Sequence, residues 1–118
     1  MIKKRKLPNQ KYSVTFTLRT LNDVDELYLL GEFNGWNPAA NPMTKAPDGS
    51  WSAKLTLEGE KEYQYRYCDN NGVWYNDDEP DAYVRNEYGA DNCLVSLVNG
   101  VTRKAPTKKI LERKKKAL

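Results

Sequence analysis

The chain predicts an all-β fold, an antiparallel sandwich of immunoglobulin-like type, on three observations. Roughly six or seven short segments alternate apolar and polar residues with period two, turn residues separate them at regular spacing, and no helical period runs inside residues 12–102. Three Trp, eight Tyr and two Phe supply much of the apolar area, and such residues suit strands better than helices. At 118 residues the chain holds one domain with a core about one sheet pair thick. The Cys, Trp, Cys spacing of a true immunoglobulin domain is absent.

Taken in order, residues 1–11 read as a basic, irregular lead-in ending at Pro8 and Asn9. Val14, Phe16 and Leu18 then alternate with Thr15, Thr17 and Arg19 as a strand with one buried face. Asn22, Asp23 and Asp25 mark a turn, and Leu27 to Leu30 form the next strand. After turn signals from Pro42 to Ser50, Trp51, Ala53, Leu55 and Leu57 share one side of the cleanest alternation in the chain. Tyr63, Tyr65 and Tyr67 follow, alternating with Gln64, Arg66 and Cys68, and Asp69 to Gly72 is a hairpin signal that returns the chain through Val73, Trp74 and Tyr75. Tyr83 and Val84, the Tyr88 and Gly89 turn, and a strand from Cys93 to Val98 complete the domain. Residues 103–118 form a basic tail whose apolar spacing is compatible with a short amphipathic helix.

The net charge of +3 conceals an asymmetry. Five basic residues and no acid lie in residues 1–11, and eight basic residues against Glu112 lie in residues 103–118. Residues 12–102 hold six basic and fifteen acidic residues, a net charge of −9, so the domain is acidic and its ends are basic. No apolar run reaches the length of a membrane span or a signal-peptide core, which points to a cytoplasmic protein. Cys68 and Cys93 lack the spacing and the histidine partners of a zinc site, so free thiols are expected; a bridge requires their strands to be neighbours.

The run Gly31, Glu32, Phe33, Asn34, Gly35, Trp36, Asn37, Pro38 joins a strand to a shaped loop. Phe33 reads as a core anchor. Trp36 has two readings: an outward ring on a polar loop, which binds something, or a ring folded back to cap the sandwich end. Catalysis finds little to work with. There is no histidine, which removes Ser/His and Cys/His nucleophiles and imidazole metal sites, and no phosphate-binding glycine loop. Asp77, Asp78, Glu79 and Asp81 are neighbours in one loop rather than carboxylates facing across a cleft, and they lack the ligand spacing of a calcium loop; they read as a solvated acidic turn. No cofactor or metal is expected.

Leu27 to Pro38, the Asp48, Gly49, Ser50, Trp51 turn, Glu62 to Tyr67, Trp74 with Asp77, and Gly89 to Asn92 together resemble the glycogen-binding module family, in family order over residues 12–98. Its members include the early-set domain of isoamylases and branching enzymes and the carbohydrate-binding domain of the AMP-activated protein kinase beta subunit. The resemblance implies a sandwich without catalytic activity that binds α-1,4-glucan. It implies that Trp36 and Trp74 stack on glucose rings, that Arg66 replaces a lysine that contacts hydroxyls, and that Asn92 is the loop amide. Tyr88 stands where a leucine commonly protrudes, Ala90 where a hydroxyl is often found, and the hairpin before Trp74 is one residue longer. The expected partners are an α-glucan oligosaccharide or glycogen and a glycogen-metabolism enzyme in trans. Two alternatives stand beside this: a protein-interaction sandwich that has lost its sugar, and basic tails that bind nucleic acid or anionic lipid.

Overall fold

The computed structural model describes residues 1–19 and 23–98. Among them, nine strands form two antiparallel sheets: β1 (Ile2–Leu7), β2 (Lys11–Leu18), β3 (Leu27–Gly31), β4 (Thr44–Lys45), β5 (Trp51–Glu58), β6 (Glu62–Asp69), β7 (Trp74–Tyr75), β8 (Ala82–Arg85) and β9 (Asp91–Ser96). One sheet runs β1-β2-β5-β4 and the other β3-β6-β9-β8, with β7 paired to β6. The architecture is an all-β sandwich.

The period-two pattern fixes which residues meet between the sheets. Val14, Phe16 and Leu18 of β2 and Trp51 and Leu57 of β5 pack with Leu27 and Leu29 of β3, Tyr65 and Tyr67 of β6, and Cys93 and Val95 of β9. A chain of rings crosses this core, Phe33 to Phe16 at 5.6 Å, Phe16 to Tyr65 at 4.9 Å and Tyr65 to Tyr67 at 5.8 Å. Phe33 is the anchor that the loop sequence indicates. Gly31 makes its placement possible, since a Cβ there would stand 2.7 Å from both the Gln64 carbonyl oxygen and the Phe33 ring. Gly31→Ala is therefore expected to lower stability by about 1–3 kcal/mol, read as a shifted urea midpoint with an unchanged slope.

The structure corrects the sequence reading in three places. Residues 2–7 are not an irregular lead-in but a full edge strand, paired from Ile2 opposite Phe16 to Leu7 opposite Lys11. Its lysines gave no apolar pattern because an edge strand needs little burial and is commonly guarded by charge. Lys4 reaches across the open side of the sandwich to Asp81 at 2.7 Å and to the Ser96 carbonyl at 2.9 Å, so this segment is part of the fold rather than a free basic tail. Asp77 is not solvated; it is buried at the centre of a hydrogen-bond hub. Met43, which lies within the run of turn signals from Pro42 to Ser50, is buried in the core. The cysteines are free, as the sequence leads one to expect: Cys68 is opposite Trp74 on the outer face of its sheet while Cys93 is opposite Tyr65 on the inner face, so the two thiols point apart. The tail 103–118 and its helical expectation lie outside the described residues.

Candidate functional site

Register decides which side chains share the outer face of the five-stranded sheet, because directly paired residues of an antiparallel ladder point the same way. Leu30 pairs with Arg66, Cys68 with Trp74, Gln64 with Leu94 and Val84 with Asn92. With Tyr65 and Tyr67 turned inward, Gln64, Arg66, Trp74 and Asn92 all face outward. Trp74 is 44% exposed, a large apolar ring left in solvent. The Arg66 guanidinium lies over that ring, 5.2 Å from its centroid, in a cation–π contact. Its Nε–H donates to Asn76 Oδ1 at 2.8 Å, and no carboxylate among the described residues pairs with it. The partners of Arg66 are thus an aromatic face and an amide.

Trp36 lies in the loop after β3, whose last residue, Gly31, is opposite Tyr65, three residues along β6 from Cys68, the partner of Trp74. Glu32 in that loop accepts from the Gln64 backbone N–H at 2.9 Å, tying it to β6. Asn34 organises the turn: its Oδ1 accepts from the N–H groups of Gly31 and Trp36, both at 3.1 Å, and its Nδ2 donates to the Leu29 carbonyl at 2.9 Å and to Asn41 at 2.7 Å. Trp36 itself is half-buried and held at φ +60°, a left-handed conformation that disfavours bulky residues. The Asn34 amide thus holds the tryptophan in a conformation that its bulk disfavours.

Asn92 and Tyr88 differ from each other in setting. Asn92 is only 7% exposed; its Nδ2 donates to Gln64 at 2.9 Å and its Oδ1 accepts from Asn86 at 3.1 Å. Tyr88 tops the β8–β9 turn at 85% exposure, and that turn is shaped by Asn86 Oδ1, which accepts from the N–H groups of Tyr88 and Ala90. Among the described residues no hydrogen bond or ring contact joins Trp36 or Tyr88 to the Arg66 and Trp74 pair. What the structure brings together is an outward aromatic ring with a cation over it and an amide holding that cation; Trp36 in the β3 loop and Tyr88 on the β8–β9 turn stand apart from that pair. An exposed ring with a cation and an amide beside it offers flat apolar contact and directional hydrogen bonds.

A family model, Carbohydrate-binding module 48 (Isoamylase N-terminal domain), matches residues 23–84. The chain belongs to this family. The match includes Trp36, Arg66 and Trp74 and ends before Tyr88 and Asn92. Two curated relatives are named amylopullulanase: that of Thermoanaerobacter thermohydrosulfuricus is 32% identical over 93 residues, 75% of this chain. That of Thermoanaerobacterium thermosulfurigenes is 34% identical over 80 residues, 64% of this chain. The aligned regions span 6% and 4% of those proteins.

Three polar residues of this module 48 domain were not singled out from sequence: Asn76, Gln64 and Asn86. Gln64 carried a readable signal, since it lies two residues before Arg66 on a strand and so shares its face. The hairpin that presents Trp74 has its own organiser. Asp69 Oδ1 accepts from the N–H groups of Asn71 at 2.8 Å and Val73 at 2.9 Å, and Oδ2 accepts from the Tyr75 hydroxyl at 2.8 Å. These bonds, led by the one from Val73, hold the Asp69 carboxyl below its ordinary value of 3.8. A depressed folded pKa gives stabilisation that is present above the unfolded value and is lost as pH falls through the folded one. Carbohydrate affinity is therefore expected to be level between about pH 5 and 8 and to fall below roughly pH 4 as the hairpin loosens. A titration repeated on Asp69→Asn, which has no such step, checks the assignment.

Proposed function

We propose that this domain is a non-catalytic module for α-1,4-glucan, glycogen or a starch-like chain, in which Trp36 and Trp74 stack on glucose rings. Arg66 and Tyr88 complete the surface, and Asn92 acts through its bonds to Gln64 and Asn86. The sandwich is of the immunoglobulin-like early-set type. The observation that carries the reading is Trp74 exposed on the sheet's outer face with the Arg66 guanidinium against it. A glucose ring has an apolar face rimmed by hydroxyls, so an exposed indole with donors at its edge complements it without any proton transfer. A shallow surface of this kind supports about −4 to −6 kcal/mol, or high micromolar to millimolar affinity. Membership of a carbohydrate-binding family and two relatives named amylopullulanase support the same ligand class. The domain's use is to bring an enzyme of glucan metabolism, in trans or on the same chain, to its polymer. Two free thiols favour a reducing compartment such as the cytoplasm. No helix among the described residues is long and apolar enough to cross a membrane.

Retardation in a native gel cast with glycogen tests this directly. The domain is expected to be slowed in proportion to glycogen content and released by soluble maltoheptaose; unretarded migration would favour the protein-interaction reading, for which the exposed Val73, Trp74 and Tyr88 offer a surface.

A further inference from the structure

Arginine has five N–H donors, and the way this structure divides them assigns a job to a residue that stacks on nothing. The Arg66 Nε–H is committed to Asn76 Oδ1 at 2.8 Å, and Asn76 is in turn fixed by donating from Nδ2 to the Asp91 carbonyl at 2.9 Å. Asn76 thus spans from β6 to the start of β9, just after the short strand that carries Trp74. The four Nη–H donors of Arg66 have no protein partner among the described residues. The guanidinium carbon lies over the Trp74 indole, 5.2 Å from its centroid, and the Trp74 side chain stays 44% exposed, which leaves ring surface for a ligand.

We propose that Asn76 is a positioning residue for glucan: by holding the Arg66 Nε–H it locks the guanidinium on Trp74, which orients the four remaining donors toward the hydroxyl rim of a sugar stacked on the exposed ring surface. This rests on the glucan reading above and goes beyond it in naming what makes the platform rigid. An arginine side chain free to rotate loses the entropy of several torsions when it captures a weak ligand, whereas one already held loses little. The inference also explains why arginine serves here: a lysine ammonium on a flexible stem has no Nε–H for Asn76 to hold.

The test compares the native domain with Asn76→Leu, which has similar volume and no hydrogen bonds, and with Asn76→Asp, which keeps the accepting oxygen. Two quantities are read: the exchange rate of the Arg66 Nε–H in ligand-free protein by 15N NMR, and maltoheptaose affinity by calorimetry. The expected result is a slowly exchanging Nε–H in the native and Asp proteins. In Asn76→Leu that proton exchanges fast and affinity drops by about tenfold, while the amide spectrum elsewhere stays native. In an Arg66→Lys background, Asn76→Leu is expected to change affinity less than about twofold, because the contact it removes is already gone. Native-like affinity for Asn76→Leu, or a fast-exchanging Nε–H in the native domain, overturns the inference and leaves the glucan reading standing. If Asn76→Leu fails to fold, the exchange rate of the Nε–H in the native domain decides the matter: slow exchange supports the inference and fast exchange overturns it. No maltoheptaose binding by the native domain overturns the glucan reading itself, and this inference with it.

Discussion

Replacing Asp77 by alanine is expected to lower stability by about 3–5 kcal/mol, because it strips the partner from several buried donors at once. The residue is 1% exposed. Its Oδ2 accepts from the Tyr65 hydroxyl at 2.9 Å and the Tyr67 hydroxyl at 3.2 Å, and its Oδ1 from the Glu79 N–H at 3.0 Å and from the Met1 ammonium. Its backbone N–H meets Cys93 Sγ at 3.2 Å and its carbonyl accepts from Tyr83, so the residue ties the loop after β7 to β6, β8 and β9. The same burial drives the Tyr65 and Tyr67 phenols far above their ordinary values and the Cys93 thiol up to about 11, so all three stay neutral donors near neutral pH. For a domain of this size the loss corresponds to a drop in melting temperature on the order of 10–25 °C, seen by calorimetry. Asp77→Asn, which keeps acceptor capacity, is expected to fall between the two.

The second large effect is on binding. Trp74→Ala and Trp36→Ala are each expected to weaken maltoheptaose binding by at least about 30-fold, roughly 2 kcal/mol, which takes a high-micromolar affinity beyond measurement. Their stabilities separate the roles of the two positions. Trp74 lies half in solvent, so its removal changes stability by less than about 0.5 kcal/mol. Trp36 sits at φ +60°, where alanine inherits the strain and glycine relieves it. Trp36→Gly is therefore expected to bind no better than Trp36→Ala and to unfold at a higher denaturant concentration.

The strands that pack the core were legible because burial on one face writes itself as alternation of apolar and polar residues: β2, β5 and β6 carry it over most of their length, and parity alone puts Arg66 opposite in sense to Tyr65. β1 was not legible, since Lys3 to Lys6 on an edge strand have no buried face to display. Asp77 was hidden among Asp78, Glu79 and Asp81, which share its charge and remain exposed or nearly so. A sign of it was nevertheless present: Tyr65 and Tyr67 at inward positions carry hydroxyls that burial obliges to find an acceptor. The aromatic residues of the candidate site could be named from their loop and hairpin positions. Asn76, Gln64 and Asn86 could not be ranked, because which amide meets which partner depends on the pairing of β6 with β7 and β9, a long-range fact.

The most direct test of the account is a titration of intrinsic tryptophan fluorescence with maltoheptaose, run on the native domain and on Trp36→Ala and Trp74→Ala. Trp51, buried in the core with Lys45 over its ring, supplies a ligand-independent background in all three. The account predicts a saturable change in the native domain that each substitution abolishes while the fold persists. A flat native response at millimolar sugar, or a saturable change that survives both substitutions, would contradict it.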